Sequence, residues 1–125
     1  TRGEYEWGDI ERIPDNLREK YFSETGKAGV FAVNSILRSR ISFVHHDLLT
    51  LTPVCEEVSL IVCKNVLLHF QPEERIDVFR MFHKTLSRNG VLANENTQKL
   101  PVEVKGLFHQ ISNDSQVYRK IEGGR

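Results

Sequence analysis

Three stretches of the sequence predict an α/β fold built on a partly parallel sheet. The run VSLIVC, Val58–Cys63, is almost wholly apolar and of strand length, as expected for a strand buried on both faces. The segment QPEERIDVFRMFHKTLSRNG, 71–90, has a helical apolar period, and GVLAN, 90–94, reads as a further short strand. Strand, helix and strand over 58–94 make one βαβ unit. Beyond Pro101, VEVKGLFHQI and SQVYRKI, separated by SNDS, predict an antiparallel hairpin at a sheet edge.

Each element has its own signals. Pro72 fits the first turn of the helix, Glu73 and Glu74 complement its positive end, and Arg88 falls in its last turn. Ile76, Phe79, Phe82 and Leu86 share one face, and Gly90 is placed as a left-handed cap. Upstream, residues 1–12 are polar and broken by Gly3 and Gly8, so an irregular segment anchored by Tyr5 and Trp7 is expected. PDNLREKYF, 14–22, predicts a short helix starting at Pro14 or Asp15, with Leu17, Tyr21 and Phe22 on one face. SETGKAG, 23–29, is a turn, and VFAVNSILRSR, 30–40, reads as a strand followed by one helical turn. ISFVHHDLL, 41–49, is rich in branched and aromatic residues and predicts a strand ending near Asp47.

Composition narrows the function classes. The 125 residues are 39% hydrophobic and 27% charged with a formal net charge of zero, which suits one globular domain or most of one. Without a basic excess there is no reason to expect nucleic acid or an anionic membrane as partner. No apolar run approaches the roughly 20 residues that span a bilayer. Nothing reads as secreted, so the expected compartment is the cytoplasm and a Cys55–Cys63 disulfide is not expected. No metal site is expected, because the cysteines are too far apart for a knuckle and His45 and His46 would point to opposite faces of a strand.

Open α/β sheets bind ligands at the carboxyl ends of their strands. On this reading Asp47, Asn65 and Asn94 lie at such ends, with Lys64 and His69 beside them. A carboxylate, two amides, a cation and an imidazole suit a polar small molecule with an adenosine-like or carboxylate part. The alternative is that Asp47 and Asn65 only cap loops.

FVHHDLL, IVCKNVLLHF, FRMFHKTLSRNGVL and VYRK, with RGEYEWGDIERIPDNLREKYF ahead of them, resemble in order and spacing the C-terminal half of the CheR chemotaxis receptor methyltransferases. The resemblance spans about 2–120 and implies a partial Rossmann-like methyltransferase sheet, with 21–40 as a small β-rich insertion that docks the receptor tail in some members. It implies an S-adenosylmethionine-dependent protein-glutamate O-methyltransferase, with a chemoreceptor as protein substrate. The matching positions imply that Asp47, Leu48, Asn65 and Val66 line the cofactor pocket and that Lys64 and His69 stand at the chemistry.

A carboxylate needs no general base to accept a methyl group from a sulfonium. The protein has to align the two and desolvate the oxygen. Lys64 would hold the carboxylate and His69 would donate a hydrogen bond. The sequence departs from the family pattern at these places, with Lys64 for an arginine, His69 for a tyrosine and Glu95 for a glycine. The glycine loop and ribose-binding acid of such enzymes have no counterpart here. The expectation is therefore a C-terminal portion of the domain that binds the cofactor weakly by itself, or one completed by a second copy through an unpaired sheet edge. A non-catalytic module that binds a receptor or peptide is the other reading.

Overall fold

The computed structural model describes residues 3–123. The chain forms two compact units, Thr1–His45 and His46–Arg125.

The first unit is a three-stranded antiparallel sheet with short helices. Strands β1 (Glu4–Glu6), β2 (Phe22–Glu24) and β3 (Val30–Val33) lie in the order β1-β3-β2. Helices α1 (Trp7–Ile10) and α2 (Asp15–Tyr21) connect β1 to β2, and α3 (Ser35–Ser39) follows β3. Residues 1–12 were expected to be irregular, yet 4–10 are strand and helix. The polar side chains hid a ladder in which Glu4, Tyr5 and Glu6 pair with Ala32, Phe31 and Val30. Glu6 and Asp9 form a reciprocal capping box on α1.

The aromatic anchors make ring contacts. Tyr5 meets Phe22 edge-on at 5.9 Å, Trp7 meets Phe31 at 5.7 Å, and the Arg18 guanidinium lies 4.6 Å from the Trp7 ring. Helix α2 begins after Pro14 as predicted, but buries no residue, and Leu17 stays 41% exposed.

The second unit holds the βαβ unit and the hairpin. Strand β4 (Val58–Cys63), helix α4 (Pro72–Thr85) and strand β5 (Leu86–Asn94) run in that order, with β4 and β5 parallel. Strands β6 (Phe108–Gln110) and β7 (Val117–Lys120) form the predicted antiparallel hairpin, and the sheet order is β4-β5-β7-β6. Of the first predicted hairpin strand, Val102–Leu107 is a 3-10 turn and only the end is strand.

Three expectations are corrected here. First, β4 is not buried on both faces. Ile61 and Cys63 face the α4 core, whereas Leu60 and Val62 are 55% and 61% exposed. The strand sits at the sheet edge, and an apolar run alone does not say how many faces are covered. Second, α4 stops at Thr85 and not near Gly90. Leu86, 1% exposed, turns extended and pairs with Val58, and the next pair is Leu60 with Val91. Residues 87–90 are thus looped out of the ladder, with Asn89 at φ 62° making the left-handed step. Gly90 is needed for space: a Cβ there would sit 2.8 Å from the Ser87 carbonyl oxygen. Third, 41–47 is not a strand. Its residues join no ladder, and Asp47 instead caps the 3-10 turn Leu48–Thr50 by accepting the Leu49 N–H at 2.9 Å.

Candidate functional site

The parallel ladder ends with Cys63 opposite Asn94, so the carboxyl tips of β4 and β5 lie side by side. The chain leaves β4 through Lys64 and Asn65, both exposed, and Asn65 takes a left-handed φ of 59°. That step is accessible to asparagine at lower cost than to most side chains. It turns the Asn65 N–H to the Glu95 carboxylate just past β5, at 3.1 Å. The two strand exits are therefore tied together, and the Asn65 side chain stays exposed.

Beyond Asn65, Val66 packs against the core and Leu67 is 2% exposed, opening the 3-10 turn Leu67–His69. His69 is exposed at its end. This turn is held by a residue that the sequence reading did not single out. Arg75 Nε donates to the carbonyls of Leu67 (2.8 Å) and Phe70 (3.1 Å), and its Nη2 donates to that of Leu68 (3.3 Å). The one available signal was its position in the first turn of a helix whose start follows the site. Gln71 and Glu74 complete a capping box there, with the Gln71 N–H donating to Glu74 at 2.7 Å.

Two buried groups lie behind the tips. Burial pushes the Cys63 thiol pKa up, and the nearby Glu95 charge adds to the effect. Asn94 is only 9% exposed, and neither its Oδ1 nor its Nδ2 has a protein hydrogen-bond partner. A buried amide of this kind costs free energy unless water or a ligand meets it.

The six predicted residues thus fall into two places. Lys64, Asn65, Val66 and His69 follow one another along the β4 exit. Asp47 caps the Leu49 N–H, and Leu48 lines an apolar cavity of about 240 Å³ with Val58, Leu60, Ile61 and Phe82, along β4 and α4. The carboxylate beside Asn65 is Glu95.

A parallel strand pair with a crossover helix between them and polar groups at adjoining strand tips belongs to the class of open α/β domains, which bind ligands at the carboxyl ends of their strands. Within that class, residues 1–117 match the CheR methyltransferase, SAM binding domain, and the chain belongs to the CheR methyltransferase family, whose cofactor is S-adenosylmethionine. It is 34% identical to a chemotaxis protein methyltransferase of Listeria monocytogenes over 90 residues, covering 72% of this chain and 33% of that protein. It is 31% identical over 103 residues to chemotaxis protein methyltransferase Cher2 of Pseudomonas putida, covering 79% of this chain and 37% of the relative. Chemotaxis protein methyltransferase 1 of Pseudomonas aeruginosa is 33% identical over 91 residues, with 70% and 32% covered. The chain spans about a third of the length of these relatives. Among the described residues no helix is long and apolar enough to cross a membrane.

Proposed function

We propose that the chain contributes residues to the active site of an S-adenosylmethionine-dependent protein-glutamate O-methyltransferase that acts on chemoreceptors. The observation that carries this reading is the joined β4–β5 exit, Lys64, Asn65 and Glu95, in a chain whose residues 1–117 match the cofactor-binding domain. The donor set is compatible with a nucleoside: an exposed Asn65 amide offers a donor and an acceptor, as an adenine edge does, and Glu95 adds a carboxylate. Val66 is half-buried and packs against the core, and its place in the pocket rests on the resemblance. Asp47 and Leu48 are assigned to the same pocket on the resemblance alone.

Bound S-adenosylmethionine supplies an electrophilic methyl group, which an ionised carboxylate accepts without losing a proton. Lys64 then serves to hold the substrate carboxylate by its charge, and His69 to donate a hydrogen bond. Neither residue has to move a proton.

The test is an NMR titration of the whole chain with S-adenosylhomocysteine. Binding is expected to be weak, with amide shifts at 64–66 and 94–96, and Asn65→Ala should weaken it about tenfold. Shifts confined to other regions, or unchanged affinity in Asn65→Ala, would remove this site. Lys64→Arg combined with His69→Tyr is expected to raise methyl-ester formation on a receptor substrate, and no gain would count against the roles given to those two residues.

A second reading has its own support. In the small sheet β1 and β2 are both edge strands, so an extended receptor or peptide segment can add along either. A module that docks partners through 21–40 without methyl transfer would bind a receptor peptide and leave the S-adenosylhomocysteine titration flat. The free edge of β4 is the surface on which a homodimer would form.

A further inference from the structure

A cavity of about 360 Å³ lies where the loop after β5, the Val102–Leu107 turn and the β6–β7 hairpin meet. Its size falls within the range of small-ligand sites. Lys99 and Lys105 line it, and no acidic residue does. Both lysines are exposed, and neither has an ion-pair partner among the described residues. In a chain of zero formal net charge, two unpaired ammonium groups around one small cavity form a local positive field that an anion would relieve.

The other lining groups add direction. The Tyr118 hydroxyl donates to Gln116 Oε1, which leaves the Gln116 NH2 group as a donor for a ligand. Leu100 and Phe108 are buried and give the cavity an apolar floor. Phe108 is fixed edge-on between His83 at 5.5 Å and Tyr118 at 6.3 Å. An apolar floor strengthens charge attraction above it and accommodates an aliphatic chain. The lining holds no arginine, so the bidentate fork that recognises phosphate is missing, and the charge comes from two separate lysine ammonium groups.

We propose that this cavity is a carboxylate-binding site. Lys99 and Lys105 each take an oxyanion, the Gln116 amide donates a further hydrogen bond, and the methylene chain of the ligand rests on Phe108 and Leu100. Both a free dicarboxylate and an acidic peptide side chain carry this chemistry. The proposal stands on the cavity alone and is independent of methyl transfer.

The whole chain is titrated by NMR with glutarate in one arm and with a short peptide of consecutive glutamates in the other. At least one arm should shift Lys99, Lys105, Gln116 and Tyr118, and Lys99→Ala/Lys105→Ala should weaken binding about tenfold or more. Glutarate alone binding identifies a free acid as the source, and peptide alone binding identifies a protein side chain. Circular dichroism melts of the double variant establish that it is folded, since both lysines are exposed. The S-adenosylhomocysteine titration is repeated on that variant and should be unchanged, which separates this site from the one at the β4 tip. No shift in either arm up to about 10 mM, or equal binding by the folded double variant, would overturn the proposal.

Discussion

The two cysteines occupy opposite environments in the second unit. Cys55 is exposed, while Cys63 is buried at the end of β4 with its thiol pKa raised by burial and by Glu95. Thiolate is the reactive form, so Cys55 should alkylate readily in iodoacetamide at mildly alkaline pH, and Cys63 only when the fold opens. Peptide mass spectrometry after labelling distinguishes the two, and equal labelling of both would contradict the buried placement. The sign for stability follows from the direction of the shift. A thiol whose folded pKa exceeds its unfolded value holds its proton more tightly in the fold. Its contribution is complete below the unfolded pKa and is lost as pH rises through the folded one. Cys63→Ser should flatten that alkaline loss in urea-melt midpoints measured across the alkaline range. Arg75 is the other residue on which the site depends, because three carbonyls of the 67–70 turn share its guanidinium. Arg75→Met keeps the stem and removes those donors, and should cost about 1–2 kcal/mol in a urea melt.

At the scale of elements, the sequence was most legible where a period or a terminus carried a local cause. The start of α4 needs only Gln71, Pro72 and Glu74, and all three act within one turn. The hairpin β6–β7 was readable at its polar turn and second strand, whereas its first strand was drawn too long, since Val102–Leu107 closes on itself as a 3-10 turn and only Phe108–Gln110 pairs with β7. What failed was what depends on neighbours. ISFVHHDLL has strand composition, yet a strand exists only where another strand accepts its hydrogen bonds, and 41–47 has no such partner. The end of α4 was misjudged because SRNG satisfies a helix cap and a bulge alike, and the Leu86–Val58 pairing decides between them. The site was legible in part for the same reason. Lys64, Asn65, Val66 and His69 follow from the strand exit, but Glu95 as the partner of Asn65 is a contact across 30 residues that no spacing reveals.

The edge position of β4 gives this scale its own prediction. Ile61 packs on the core and Leu60 does not. Ile61→Ala should lose about 2 kcal/mol in a urea melt, whereas Leu60→Lys should leave the melt nearly unchanged. The reverse ranking would mean that the outer face of β4 is the covered one.

At the scale of the whole molecule, the two units differ in how much core they hold. Among the described residues, Ile10 is the one fully buried hydrophobic of the first unit, whereas the second gathers Phe79, Phe82, Leu86, Leu92, Val104 and others into a single cluster. Stability scales with apolar surface removed from water, and three short strands around one buried side chain lie close to the entropy cost of ordering them. The units should therefore open with different free energies. Hydrogen exchange read by mass spectrometry should show the amides of β1, β2 and β3 exchanging well before those of α4, β5 and β7. Lys120 sharpens the contrast. Its ammonium, in a side chain only 12% exposed, donates to the Leu86 carbonyl at 2.7 Å and ties β7 to the start of β5. Lys120→Met leaves that carbonyl without its partner, so it should speed exchange in β5 and β7 and leave the first unit unchanged. Uniform exchange across both units, or a Lys120→Met effect that spreads into β1–β3, would show that the chain opens as one cooperative body whose small sheet draws its stability from the larger core.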